Sequence, residues 1–239
     1  MNLAIDIGNT RTKIGLFLDG ILQEIIINDA LETINLPALI QKYAIKKAII
    51  SSTKDIPNQL LNDFAQLPKA IILTEDTRLP FANLYATPKT LGKDRLALIA
   101  AGQAQFPNHD TLIIGCGTCI TFNFINHKGA FLGGSIHPGL KMRLLAMHTF
   151  TDKLPLVALQ DNAALFGNDT ITSLLSGTLY ATAREIDGML DEYLVKFPKM
   201  KIIITGGDAD LLVYRLKNQI FAISNLTLIG LNHILEYNA

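Results

Sequence analysis

Neither sign of charge prevails in this 239-residue chain, in which Lys and Arg number 21 and Asp and Glu also number 21. Without a global field to gather polyanions, no nucleic acid and no anionic membrane is expected as a partner. Long apolar runs are missing too, since none approaches the ~18 residues of a membrane span. The N-terminus enters a strand directly, without a basic segment, a long apolar stretch or a cleavage site. A cytoplasmic protein is expected. The only cysteines, Cys116 and Cys119, are too few for a disulfide framework. No low-complexity or single-sign segment interrupts the chain. What is abundant is apolar: 49% of residues, enough for a substantial core in one large or two small domains.

The pattern of those apolar residues is α/β. Short strands are expected at about 2–8, 12–18 and 21–27, with Asp19-Gly20 as the hairpin turn between the last two. Leu36, Leu39, Ile40 and Tyr43 recur at helical spacing, and "KKAIISS" (46–52) then reads as a buried strand. A helix at about 57–66 and a strand in "KAIILT" (69–74) complete a βββαβαβ order, a mixed sheet with crossover helices. That order begins again at "TLIIGCGTCITFNFI" (111–125), a second strand-glycine-threonine-strand unit. The turn "NHKG" (126–129), the strand "AFLGGSIHPG" (130–139), helices at about 139–149 and 169–196, the strand "KIIIT" (201–205) and two last helices follow. A duplicated α/β chain is expected, divided near "FPNHD" (106–110), where proline and polar residues end a helix of about 92–105.

Each half thus offers a hairpin with glycine and threonine at its turn. In "AIDIGNTRTKIGLF" (4–17), Gly8 lets backbone amides approach an anion, while Asn9, Thr10 and Thr12 add side-chain donors. Gly117, Thr118 and Thr121 can do the same in the second half, and two such turns facing each other would grip the β- and γ-phosphates of a nucleotide. Asp6 can then hold Mg²⁺ through water, because that ion keeps several waters and takes few carboxylates. Lys13 can neutralise a phosphate oxygen. The competing account is an ordinary hairpin with Asp6 capping its turn. In "IIITGGDA" (202–209), Gly206 and Gly207 either let an adenosine lie against the backbone at a helix start or make a plain strand-to-helix turn.

The C-x-x-C of Cys116 and Cys119 lies in a hairpin, not at a helix start where the dipole lowers a thiol pKa. His109 and His127 lack the paired spacing of zinc ligands. Hairpin packing is expected of both cysteines.

With D-x-G-N-T-x-x-K, a second G-T-x-x-T hairpin and a late G-G, the chain resembles the acetate kinase, sugar kinase, Hsp70 and actin superfamily. Within it the similarity is closest to type III pantothenate kinase. The residues that carry it are "DIGNTRTK" (6–13), "YATPKTLGKDR" (85–95), "GCGTCIT" (115–121), "GGSIHPGLKMRLLAM" (133–147) with "KLP" (153–155), "GNDTITSLLSG" (167–177) and "ITGG" (204–207). They keep the family's order across nearly the whole chain.

The resemblance implies two duplicated RNase H-like (actin-like ATPase) domains, 1–107 and 108–239, with mixed sheets and a cleft between them. It implies ATP-dependent phosphorylation of pantothenate to 4'-phosphopantothenate, the first step of coenzyme A biosynthesis. Asp94 would be the general base on the substrate's primary hydroxyl; without the family it reads equally as a first-turn acid favoured by the helix dipole. Tyr85, Gly92, Lys93, Asp94 and Arg95 would line the pantothenate pocket. Thr170 would reach substrate from the neighbouring subunit of a homodimer; alone, it is a residue beside a helix cap. Asp6, Gly8, Asn9, Thr10, Lys13, Gly117, Thr118, Gly206 and Gly207 would bind ATP, with Mg²⁺ at Asp6. Two positions depart from the family pattern: Gly115 stands where most members have Asp, and Asn123 where an acid often follows the second threonine. The first supplies a ligand for K⁺ or NH₄⁺ in the resembled enzymes, so that cation site is in question here. Two other functions remain open: a non-catalytic nucleotide-binding regulatory or accessory protein, and a kinase for another small hydroxylated acid.

Overall fold

Leu3, Ile5 and Ile7 share one face of the first strand, β1 (Asn2–Ile7), and are buried there; alternation sends Ala4 and Asp6 to the other face. The computed structural model describes residues 1–9, 11–28 and 34–239, so Thr10, expected among the phosphate-binding residues, lies outside the described residues. β2 (Thr12–Leu18) runs antiparallel to β1 and to β3 (Ile21–Asn28). The β2–β3 turn places Asp19 and Gly20 at φ of 50° and 79°. Two successive left-handed residues give a turn whose twist matches the flanking strands, which is why Asp-Gly marks it.

α1 (Leu36–Tyr43) is capped by the Asn35 side chain, which accepts from the Ala38 amide. It leads into β4 (Lys47–Ser52), and α2 (Asn58–Ala65) leads into β5 (Lys69–Ile72). Each crossover returns the chain parallel, giving the sheet order β3-β2-β1-β4-β5. Leu36, Leu60 and Phe64 of the helices close over Leu3, Ile5, Ile7, Ile14, Leu16 and Ile50 of the sheet.

β6 (Ala82–Asn83), a 3₁₀ turn (Pro88–Thr90) and α3 (Lys93–Gln105) follow. β7 (Thr111–Cys116), β8 (Cys119–Ile125) and β9 (Ala130–Pro138) are successive neighbours, then come α4 (Leu140–Thr149), α5 (Thr170–Leu175), a π-helical segment (Ser176–Tyr180) and α6 (Ala181–Lys196). β10 (Lys201–Thr205), α7 (Ala209–Val213), β11 (Phe221–Ala222) and α8 (Leu226–Tyr237) end the chain. The second sheet has the order β11-β10-β7-β8-β9-β6. β6, β11 and the 3₁₀ and π segments are too short for any periodicity to announce them.

Two compact units result. One holds residues 1–108, 125–133 and 225–239; the other holds 109–124 and 134–224. In the first, α8 packs on β1 and on α3, so close that a Cβ on Gly230 would sit 1.8 Å from the Ala97 carbonyl oxygen. Leu228 meets Gly15 of β2, which puts α8 on the Ala4 and Asp6 face. In the second unit, Leu112, Ile114, Ile120 and Phe122 pack with Leu179, Ile186 and Leu190 from the helices. Among the described residues no helix is long and apolar enough to cross a membrane.

Candidate active site

Strand alternation and register set the first cluster. Asp6 lies opposite Lys13 across the β1–β2 pair and beside Ser51 of β4. Beyond it the chain reverses tightly, with the Gly8 amide donating to the Arg11 carbonyl at 3.1 Å; a Cβ on Gly8 would stand only 3.2 Å from that same oxygen. The Thr53 amide donates to the Ile7 carbonyl at 3.0 Å, and its hydroxyl reaches Asn9 Oδ1 at 3.3 Å. Lys13 Nζ donates to Asn225 Oδ1 at 3.3 Å, and Asn225, at φ 55°, opens α8 in the left-handed region. Burial first, then the negative charge of Asp94, push the Asp6 carboxyl up to about 6, with Lys13 pulling the other way.

That coupling brings Asp6 and Asp94 into one electrostatic site. Asp94 is the second residue of α3, where the helix dipole favours a carboxylate. Gly92 precedes it, and a Cβ there would lie 2.5 Å from Asp94 Oδ1. Lys93 is half-buried beside it. Arg95 turns inward: it is 4% exposed, and its guanidinium carbon stands 5.7 Å from the Tyr85 ring centre and 5.8 Å from that of Phe131. The two rings stack 5.8 Å apart. The residues expected to line the substrate pocket therefore gather at one end of α3. Phe131 joins them from β9, a strand that was expected, though nothing in its sequence pointed this residue at Arg95.

In the second unit the turn between β7 and β8 is held by backbone contacts. The Gly117 amide donates to the Cys119 carbonyl at 3.0 Å. The Thr118 carbonyl accepts from the Gly139 amide at 3.1 Å, and the Cys116 carbonyl from the Asp208 amide at 3.2 Å. A Cβ on Gly139 would come within 2.3 Å of the Gly117 oxygen; on Gly206, at φ 109°, it would come within 2.1 Å of the Cys116 oxygen. Glycines 139 and 206 thus clamp the turn from two directions, and Gly117 and Thr118 are left exposed. Gly206 and Gly207, expected at the adenosine, belong to this same assembly. Gly139 and Asp208 were not expected in it; "HPG" and "GGDA" contain them, but no side-chain pattern marks a backbone contact. Burial and then Asp208 push the Cys116 thiol up to about 12.

Gly115 pairs with Thr205 across β7 and β10. Asn123 is fully buried and donates to the Ile113 carbonyl and the Thr121 hydroxyl, both at 3.2 Å. Thr170 is the first residue of α5, behind the reciprocal Asp169–Thr172 capping box. It is exposed on a groove of about 540 Å³, whose other lining includes Met147, Gly167, Asn168 and Ser173 but no residue of the 116–119 or 206–207 turns.

The description of a family, type III pantothenate kinase, fits residues 2–192. The chain belongs to the type III pantothenate kinase family. The type III pantothenate kinase of Phocaeicola vulgatus is 40% identical over all of this chain and 99% of its own length. A solved structure from Campylobacter jejuni assigned to the Baf family of transcriptional activators is 20% identical, with a TM-score of 0.62 over 99% of this chain and 98% of that one. Glucokinase from an Antarctic psychrotroph is 13% identical, with a TM-score of 0.51 over 100% and 99%. At such identities these two establish the fold, the mixed α/β architecture of the sugar kinases and actin, and nothing about activity.

The part of the chain matched to type III pantothenate kinase takes in Asp6, the 85–95 segment, the 116–119 turn and Thr170. Gly206, Gly207 and α8 lie beyond it, within the reach of the full-length relative.

Proposed function

We propose that this type III pantothenate kinase transfers the γ-phosphoryl group of ATP to the primary hydroxyl of pantothenate, giving 4'-phosphopantothenate and ADP at the first step of coenzyme A biosynthesis. The observation that carries the chemistry is the placement of Asp6 and Asp94, two carboxylates suited to different tasks, in one compact unit, near enough that the charge of Asp94 adds to the larger effect of burial on Asp6. In phosphoryl transfer, positioning and charge stabilisation supply most of the acceleration. Asp94 orients the attacking hydroxyl and accepts its proton as the new oxygen–phosphorus bond forms and the bond to the β-phosphate bridge breaks. Tyr85, Gly92, Lys93 and Arg95 hold pantothenate against it, Arg95 through its guanidinium fork.

Gly8 and Asn9 on one turn with Lys13 on the strand that follows it, and Gly117 and Thr118 on the other turn, bind phosphate oxygens; Gly206 and Gly207 give the adenosine a surface without side chains. Asp6 fits a hard cation, because an ionised carboxylate that burial and Asp94 both disfavour is relieved by a positive charge. Mg²⁺ held there through water would offset the negative charge of the phosphates. The residues do not fit a monovalent cation equally well. Gly115 brings no carboxylate, and Asn123 brings a neutral amide whose hydrogens are already donated.

The proposal includes a cytoplasmic homodimer in which Thr170 reaches the neighbouring subunit's substrate. Leu165, Phe166 and Ile171 beside it are 66%, 79% and 48% exposed, an apolar surface that a second copy would cover. The deciding experiment is mass-spectrometric detection of phosphopantothenate after incubation with ATP, Mg²⁺ and pantothenate. Folded protein that binds ATP and makes no product would be a nucleotide-binding regulator instead. Product from another hydroxylated acid alone would change the substrate.

A further inference from the structure

Beneath the 116–119 turn, the strand end that carries Gly139 is itself tied down by four side chains that the proposed chemistry leaves unused. Glu185 of α6 accepts from His137 Nδ1 on Oε1 at 2.6 Å and forms an ion pair with Arg143 through Oε2 at 2.8 Å. An ionised carboxylate can only accept, so Nδ1 carries a proton, and Nε2 on the far side of the ring lies 2.7 Å from the Ser135 hydroxyl, which accepts from an Nε2–H or donates to a bare Nε2. Arg143 also donates from Nε to the Pro138 carbonyl at 2.9 Å. Phe122 packs on the imidazole with ring centres 5.1 Å apart. One carboxylate on α6 therefore fixes Ser135, His137 and Pro138 of β9. The next residue is Gly139.

Gly139 has almost no freedom. Its amide holds the Thr118 carbonyl, and its α-carbon lies so close to the Gly117 and Thr118 oxygens that a Cβ would stand 2.3 and 2.4 Å from them. Contacts this tight transmit displacement, because packed backbone cannot be compressed. A strand end released from α6 would move Gly139 and tilt the turn.

We propose that Glu185 is a positioning residue for ATP, acting through His137 and Arg143 on Pro138–Gly139 and so on the Gly117–Thr118 turn. The inference rests on the reading of that turn as phosphate-binding. A network that merely pinned β9 to α6 would affect stability without distinguishing one substrate from the other. A positioning network acts on ATP.

The test is steady-state kinetics with each substrate varied, on Glu185→Ala, Glu185→Gln and Thr118→Ala. Glu185→Ala is expected to raise the KM for ATP about tenfold while the KM for pantothenate stays within about twofold. Glu185→Gln should recover part of the loss: its amide oxygen accepts from Arg143 and its NH₂ donates to His137 in the other tautomer, whose Nε2–H then donates to Ser135. Equal rises in both KM values, no change in either, or no recovery in the glutamine variant would overturn the proposal. Thr118→Ala separates it from its premise. If that variant leaves the KM for ATP unchanged, the turn is not the phosphate site; if it raises the KM and Glu185→Ala does not, only the positioning role fails. Should Glu185→Ala not fold, His137→Asn, which cuts one arm of the network, is held to the same split.

Discussion

Asp6 on β1 and Asp94 on α3 feel each other's charge: burial first, and then the negative charge of Asp94, bring the Asp6 carboxyl up to about 6, against an ordinary value of 3.8. The direction fixes how stability varies with pH. The native state holds this proton more tightly than the unfolded chain does, so ionised Asp6 is a cost present in full above about pH 6 and relieved as the pH falls toward about 4. At about 1.4 kcal/mol per pKa unit, that cost is about 3 kcal/mol in the metal-free protein. Asp6→Asn is therefore expected to be more stable than the parent near pH 8 without Mg²⁺, with the difference closing toward pH 4. Denaturant unfolding at several pH values measures it, and a difference that does not change with pH would remove Asp6 from this account.

A second expectation concerns Asp94. Its neutral isostere keeps the size of the side chain and gives up the proton acceptor, so Asp94→Asn should lower kcat by roughly 10²-fold or more. ATP binding by calorimetry should be unchanged. Near-normal turnover would leave Asp94 as a first-turn acid favoured by the helix dipole.

Gly92 tests the same carboxylate without altering it. A methyl group there would stand 2.5 Å from Asp94 Oδ1, and the atom in its way is the end of a mobile side chain, not backbone. The carboxylate should yield and the fold survive. Gly92→Ala is expected to cost about tenfold or more in kcat through misplacement, with the melting temperature little changed. Unaltered kcat would mean that the position of this carboxylate does not limit turnover.

These tests draw on features that differ in how far they could be read from the chain. The strand pair in "AIDIGNTRTKIGLF" was legible, because two apolar runs flanking a glycine turn are a local signal; the face on which Asp6 emerges came with the register. The run 92–105 likewise announced a helix with Asp94 in its first turn. The contact of Gly139 and Gly206 with one turn was hidden, since backbone meeting backbone leaves no composition signature. So was the Ser135–His137–Glu185 chain, which joins residues 48 positions apart across a strand and a helix. The contact of Phe131 with Arg95 was hidden for a similar reason: an apolar residue near the start of a strand reads the same whichever partner buries it.

The last prediction turns on Gly115. A monovalent cation needs several oxygen ligands, and glycine can offer only its carbonyl, so both a ligand and the charge that offsets the ion are missing at this position. Asn123 does not replace them, for it is buried with its amide hydrogens turned to Ile113 and Thr121, an arrangement made for a neutral group. Activity is therefore expected to depend less on K⁺ or NH₄⁺ than in a relative with Asp at this position. Gly115→Asp should create or strengthen the dependence, since the new carboxylate would lie on β7 just before the 116–119 turn and opposite Thr205. The rival arrangement gathers carbonyl oxygens, or a carboxylate of the neighbouring subunit, into an equivalent site. Initial rates in Na⁺, K⁺ and NH₄⁺ at constant ionic strength separate the two. Strong, saturable activation of the unmodified protein by K⁺ or NH₄⁺ would sink the lost-site prediction while leaving pantothenate phosphorylation intact; rates that are indifferent to the cation in the parent and sensitive to it in Gly115→Asp would make one missing carboxylate the reason.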